Sequence, residues 1–143
     1  MADLVPPRGR SVAGIVVNEG RFFVALRKAG GSLGRKWEFP GGKVDGNESD
    51  RDALEREYLE EFGVRVGVGP LLAGAEFENR GKRYSLNAYL VYPESLDFKL
   101  IEHTEWRWAT PEEITSDGLG GGEGFADSDL RLFPALSEYI SSL

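Results

Sequence analysis

Ser11–Val17 (SVAGIVV) is a run of small and β-branched apolar residues that stops at Asn18-Glu19-Gly20, and Arg21–Leu26 (RFFVAL) resumes it. Two apolar runs around an Asn/Gly turn predict a β-hairpin. The small, polar and basic stretch Ala29–Lys36 predicts a loop, Trp37–Phe39 a short strand stopped by Pro40, and Gly41-Gly42 the start of another loop. Ser49–Phe62 predicts a helix: Ser49 or Asn47 caps its start, Asp50 and Asp52 suit its positive end, and Gly63 ends it. Val64–Ala75 is apolar with Gly-Pro punctuation, and Ala75–Glu78 and Tyr84–Val91 flank Asn79-Arg80-Gly81-Lys82 as a second hairpin. Glu105–Ala109 alternates like a half-buried strand, and Thr110-Pro111 reads as a helix cap with proline in the first helical position. Five of the seven residues from Gly118 to Gly124 are glycine, which predicts a mobile loop. Beyond it Leu130, Phe133, Leu136 and Ile140 recur at helical spacing and predict one last helix from Asp127 to the C-terminus.

This order of strands and two or three helices, without internal repeats or a linker, predicts one α+β domain over residues 1–143, built as an αβα sandwich. A length of 143 residues fits a single domain. The 24 acidic against 17 basic side chains leave a net charge of −7, which opposes non-specific binding to nucleic acid. An acidic chain still binds phosphates when a divalent cation lies between carboxylate and phosphate. The absence of cysteine excludes disulfides, thiolate nucleophiles and Cys-type zinc sites, and a single histidine, His103, excludes multi-His sites. No run of 18 apolar residues and no apolar segment near Met1–Arg10 points to a membrane span or secretion signal, so a cytoplasmic protein is expected.

The helix carries the candidate chemistry. Asp50, Asp52, Glu55, Glu57, Glu60 and Glu61 put six carboxylates in twelve residues. At 100° per residue, Glu57, Glu60 and Glu61 fall within about a third of the circumference, beside the apolar stripe of Leu54, Tyr58 and Phe62. Like charges three and four residues apart destabilise a helix by a few tenths of a kcal/mol each, so a cation should offset them. Carboxylate oxygens suit hard divalent ions, and Mg²⁺ is usually shared between carboxylates and substrate phosphates.

The spacing of the whole segment adds to this. Gly42, five residues, Glu48, seven residues, then Arg56-Glu57-Tyr58-Leu59-Glu60-Glu61-Phe62-Gly63-Val64 resembles the Nudix box, G-x5-E-x7-R-E-U-x-E-E-x-G-U, and all seven fixed residues match over 42–64. Tyr58 departs from the pattern, which takes a bulky aliphatic there. Trp37–Val44 (WEFPGGKV) is similar to the entry to the box in the MutT-like branch. The resemblance implies a Nudix-type αβα sandwich with a mixed central sheet. It also implies Mg²⁺- or Mn²⁺-dependent hydrolysis of a nucleoside diphosphate linked to another group. Within the branch this becomes cleavage of a nucleoside triphosphate, standard or oxidised, to the monophosphate and pyrophosphate. Carried over, Glu57, Glu60 and Glu61 are metal ligands with the Gly41 carbonyl, and Arg56 pairs with Glu48 to pin the loop to the helix. Glu57 is the first candidate for general base. Glu102 resembles the family's extra carboxylate on a loop before a late strand, as a further metal ligand or as the base, with Glu105 behind it. ADP-ribose, nucleotide-sugar and dinucleoside polyphosphate substrates remain alternatives, as does a non-catalytic nucleotide-binding module.

The substrate side is less legible. Arg27 and Lys28 are candidates for phosphate oxygens, with Arg35 and Lys36 in the next loop behind them; Glu38 and Phe39 belong to the substrate candidates, Phe39 or Phe77 as a stacking partner for a base. Asp129 lies where MutT-like relatives place a base-reading Asn or Asp, although Asp127, Ser128 or Asp129 equally suits an N-cap for the last helix. His103 is expected at the surface. The resemblance implies a small-molecule nucleotide as partner; no nucleic acid or membrane partner is expected, and the protein is expected to be a monomer or homodimer.

Overall fold

The computed structural model describes residues 9–31 and 34–143, which form two four-stranded sheets with helices packed on both sides. In the first sheet β1 (Gly9–Ile15) pairs antiparallel with β5 (Gly41–Lys43) and parallel with β7 (Lys82–Pro93), and β6 (Val66–Asn79) forms the far edge. In the second, β3 (Arg21–Arg27) pairs antiparallel with β2 (Val17–Asn18), β4 (Trp37–Glu38) and β8 (His103–Ala109). This is the α+β sandwich that the element order predicts, with the mixed sheet that the family resemblance implies. Among the described residues no helix is long and apolar enough to cross a membrane.

Burial explains where the first hairpin departs from expectation. Only β2 crosses the Glu19-Gly20 turn to β3, while β1 belongs to the other sheet. Residues 12–16 are all buried, with Ala13 and Ile15 in one apolar cluster and Val12 and Val16 in the other. A continuous apolar run is the pattern of a strand covered on both faces. β3 divides its side chains in the same way: Phe22, Val24 and Leu26 enter the first cluster, Phe23 and Ala25 the second. Gly41-Gly42, expected in a loop, instead forms strand β5, with Gly41 opposite Ala13 and Gly42 opposite Val12.

Helix α1 (Asp50–Phe62) starts where Ser49 Oγ accepts from the Asp52 N–H at 3.0 Å. It ends at Gly63, whose N–H donates to the Leu59 carbonyl and whose left-handed φ of 66° turns the next N–H, that of Val64, back toward the Tyr58 carbonyl at 3.5 Å. Ala53, Leu54, Tyr58 and Phe62 cover the second cluster. The Tyr58 hydroxyl, the departure from the family pattern, donates to the Gly14 carbonyl at 2.8 Å, so its ring fills an aliphatic position without an unpaired buried oxygen. Thr110 and Glu113 form a reciprocal capping box for α2 (Pro111–Thr115).

The last helix is two. α3 (Asp127–Leu130) and α4 (Ala135–Ser141) are separated at Pro134, which lacks an N–H and disfavours helical backbone at the residue before it. Leu130, Phe133, Leu136 and Ile140 still pack on the first cluster, so the periodicity marks a shared buried face and not a continuous helix. The glycine-rich loop is tethered. Trp37 Nε1 donates to the Gly120 carbonyl at 2.9 Å, Arg35 to that of Gly121 at 2.5 Å and Lys36 to that of Glu123 at 2.8 Å. Arg107 also donates to the Leu119 carbonyl, with its guanidinium 4.8 Å from the centre of the Trp37 ring.

Candidate active site

The loop before α1 is tied to the helix by Arg56. Its Nε and Nη2 donate to the two oxygens of Glu48 at 2.7 and 3.0 Å, a bidentate pair, and Nη1 donates to Glu57 Oε1 at 2.8 Å. Nη2 also donates to the Lys43 carbonyl at 3.1 Å, and Glu48 accepts the Asp45 N–H at 3.0 Å. The Arg56 hydrogen bond, with the backbone donor behind it, holds the Glu48 carboxyl down to about 2, and Glu48 in turn raises the Arg56 guanidinium. Glu57 is thereby pressed against β5: a Cβ at Gly42 would lie 2.7 Å from Glu57 Oε1, so only glycine lets strand and carboxylate approach this closely. Glu60 lies one turn on, 3.5 Å from Arg56 Nη1, with 61% of its side chain exposed.

Glu61 points inward. It is 9% exposed, and its Oε1 is buried without a hydrogen-bond partner among the described residues. Burial first, then the hydrogen bond and charge of Glu57, push its carboxyl up to about 10. A buried carboxylate beside a second one, with an oxygen unsatisfied, is an environment that a cation would relieve. The donors are all carboxylates, so the residues fit a hard divalent cation. Glu38 and His103, both buried, put ligand-type atoms within 4.8 Å of Glu61. His103 Nε2 lies 2.8 Å from Glu38 Oε2, and Arg27 Nη1 lies 3.2 Å from the same oxygen. The expectation of a surface His103 is therefore corrected: it is 2% exposed and stacks on Phe62 at 4.9 Å. Nothing in its neighbours, Glu102 and Thr104, signals that burial, because it is set by pairing with a distant strand.

The remaining candidates divide. Glu102 is exposed, and Lys28 holds the adjoining backbone by donating to the Ile101 carbonyl at 2.9 Å. Arg35 and Lys36 are engaged with the glycine loop, so their amine and guanidine groups serve as tethers. The Phe39 ring is 2% exposed, packed edge-on against Phe22 and Phe125 at 5.6 and 5.1 Å; this corrects its reading as a stacking residue, because its faces are occupied by the core. Phe77 is half-buried and stacks on Tyr84 at 5.4 Å. Asp129 does not cap α3, which has no side-chain cap. Its Oδ2 accepts the Phe39 N–H at 2.9 Å and its Oδ1 the Ser128 hydroxyl at 3.1 Å. Burial, with the nearby Glu38 charge adding, pushes the Asp129 carboxyl up to about 7.

The NUDIX domain model matches residues 7–126. The chain is 37% identical to the CTP pyrophosphohydrolase of Escherichia coli over 102 residues, covering 71% of this chain and 76% of that one. It is 35% identical to the 8-oxo-dGTP diphosphatase of Proteus vulgaris over 109 residues, covering 76% and 87%. Among solved structures it resembles the solution structure of the Escherichia coli ORF135 protein, with a TM-score of 0.79 and 31% identity over 94% of this chain and 91% of that one.

Proposed function

The chain belongs to the Nudix domain family and is a Nudix hydrolase, and from that premise we propose that it cleaves a nucleoside triphosphate to the monophosphate and pyrophosphate. The observation that carries this reading is the Glu57–Glu61 pair: Glu57 lies against the Gly42 backbone, and beside it the buried Glu61 carboxyl has an oxygen without a hydrogen-bond partner among the described residues. Glu57, Glu60, Glu61, Glu102 and the Gly41 carbonyl are the proposed ligands of Mg²⁺ or Mn²⁺. Such an ion, when bound, supplies neutralisation of phosphate charge and a lowered pKa for the attacking water.

The chain's own groups account for the rest. Arg56 holds Glu57 in place from the side while Glu48 holds Arg56, so the carboxylate geometry is set before substrate arrives. Glu57 takes the proton of the attacking water, with Glu102 the alternative base. Arg27, whose side chain is 41% exposed, and Lys28 offer donors to phosphate oxygens, and Glu38 and Asp129 offer acceptors to N–H or O–H groups of the nucleoside.

The test is hydrolysis, with Mg²⁺ present, of common and 8-oxo nucleoside triphosphates, ADP-ribose, a nucleotide sugar and diadenosine tetraphosphate. The panel includes CTP and 8-oxo-dGTP, the compounds named for the relatives. Release of pyrophosphate and monophosphate from a triphosphate is expected. Orthophosphate as the product, or activity confined to ADP-ribose or a sugar nucleotide, overturns the substrate reading. Inactivity of the folded protein toward the whole panel favours a binding module.

A further inference from the structure

His103 reaches the site through an irregularity in the sheet. Along β3 and β8 the pairs run Val24 with Arg107, Ala25 with Trp106 and Leu26 with Glu105, then shift so that Arg27 stands opposite His103. An unbroken ladder would put Thr104 there. Because successive side chains alternate between faces, a one-residue slip changes which side chain points inward. The bulge therefore turns His103 onto the face shared by Ala25, Arg27 and Glu38, under Phe62 and beside Glu61.

There its Nε2 and Arg27 Nη1 converge on one oxygen, Glu38 Oε2, and Glu38 Oε1 takes part in no hydrogen bond among the described residues. An ionised carboxylate only accepts, so the contact puts the imidazole hydrogen on Nε2. Nδ1 is left buried with no partner among the described residues. A hydrocarbon side chain of similar size would stack on Phe62 without burying that nitrogen, so packing alone does not account for histidine here.

We propose that His103 is a positioning residue: with Arg27 it fixes the Glu38 carboxylate so that Oε1 faces a hydrogen-bond donor of the bound nucleotide. The inference rests on the nucleotide reading above. Two substitutions separate the donor from the ring. His103→Phe keeps the stack on Phe62 and removes the donor; His103→Gln keeps a donor near the position of Nε2 and removes the ring.

With the triphosphate that the wild type hydrolyses, His103→Phe should raise KM about 10-fold and change kcat less than 3-fold. His103→Gln should return KM to within 3-fold of wild type even if its thermal midpoint falls. Wild-type KM in His103→Phe, an unchanged KM with a lowered kcat, or failure of His103→Gln to restore KM would each overturn the proposal. His103 is the only histidine, so a ¹⁵N-labelled wild-type sample gives one imidazole spin system and needs no variant to fold. An Nε2–H protected from exchange, shifted when the nucleoside monophosphate is added, is expected; an Nδ1–H tautomer or an unmoved signal overturns it. A wild type inactive on every nucleotide removes the underlying reading as well, whereas an active wild type with an unimpaired His103→Phe removes this inference alone.

Discussion

Glu60 and Glu61 are neighbours in sequence with opposite surroundings, one exposed and one buried against Glu57, and each matters for a different reason. Glu60→Gln changes a solvent-facing side chain by one charge, so the fold should be indifferent to it. If the carboxylate holds the cation, turnover should fall by about 10²-fold with an unchanged thermal midpoint. Steady-state rates beside a melting curve check this; unchanged turnover removes Glu60 from the site. Asp129 makes a prediction about stability. Its carboxyl keeps a proton up to about pH 7 in the native state, whereas an unfolded aspartate loses it near 4. The native state therefore binds the extra proton between about pH 4 and 7. The contribution of Asp129 to stability is greatest below that window and is lost as pH rises through it. Asp129→Asn should flatten this part of the profile and leave the variant on the order of 1 kcal/mol more stable than wild type at pH 8. Urea unfolding at pH 4, 6 and 8 reads it, and parallel profiles would sink the argument.

At the scale of elements, local signals were readable and distant ones were not. Helix α1 is legible because its caps Ser49 and Gly63, its apolar stripe and its carboxylate spacing all lie within a few turns. The helix break was available in Pro134 but was masked by Leu130, Phe133 and Leu136, which stay on one buried face across it. The inward turn of His103 was invisible, since a β-bulge is a property of two paired strands, here about 76 positions apart at Arg27 and His103. The glycine loop misled for the same reason. Five glycines describe the freedom of the chain, but Arg35, Lys36 and Trp37, some 80 residues earlier, supply the donors that hold it. Arg107 completes that clamp from β8. Arg107→Ala removes its stacking on Trp37 and its hydrogen bond to Leu119, a loss of about 1–2 kcal/mol. That corresponds to a midpoint lower by about 3–8 °C for a domain of this size. Hydrogen exchange should quicken at residues 118–126 and remain slow in α1. Equal quickening in both would mean that Arg107 supports the whole fold and not the loop.

For the molecule as a whole, electrostatics and site formation work against each other until a cation is present. The net charge is −7, and the first turn of α1 with Glu57 and Glu60 concentrates carboxylates on one element, beside the buried Glu61 carboxyl that burial and Glu57 keep from ionising. Arg56 offsets some of it through Glu48 and Glu57, but among the described residues nothing pairs with the buried Glu61 oxygen. A ligand that binds only the folded chain stabilises it by RT ln(1 + [L]/Kd), about 2.7 kcal/mol at 100 times Kd. Mg²⁺ should therefore raise the melting midpoint of metal-free protein by several degrees. NaCl at the same ionic strength should raise it less, because simple screening acts on exposed charges and hardly on buried ones. Most of the difference between the two salts should disappear in Glu61→Gln, whose side chain keeps the shape of the site and cannot carry the charge. If Mg²⁺ and NaCl shift the wild type equally, the carboxylates of α1 merely repel one another, and the metal-dependent reading fails at the level of binding before any rate is measured.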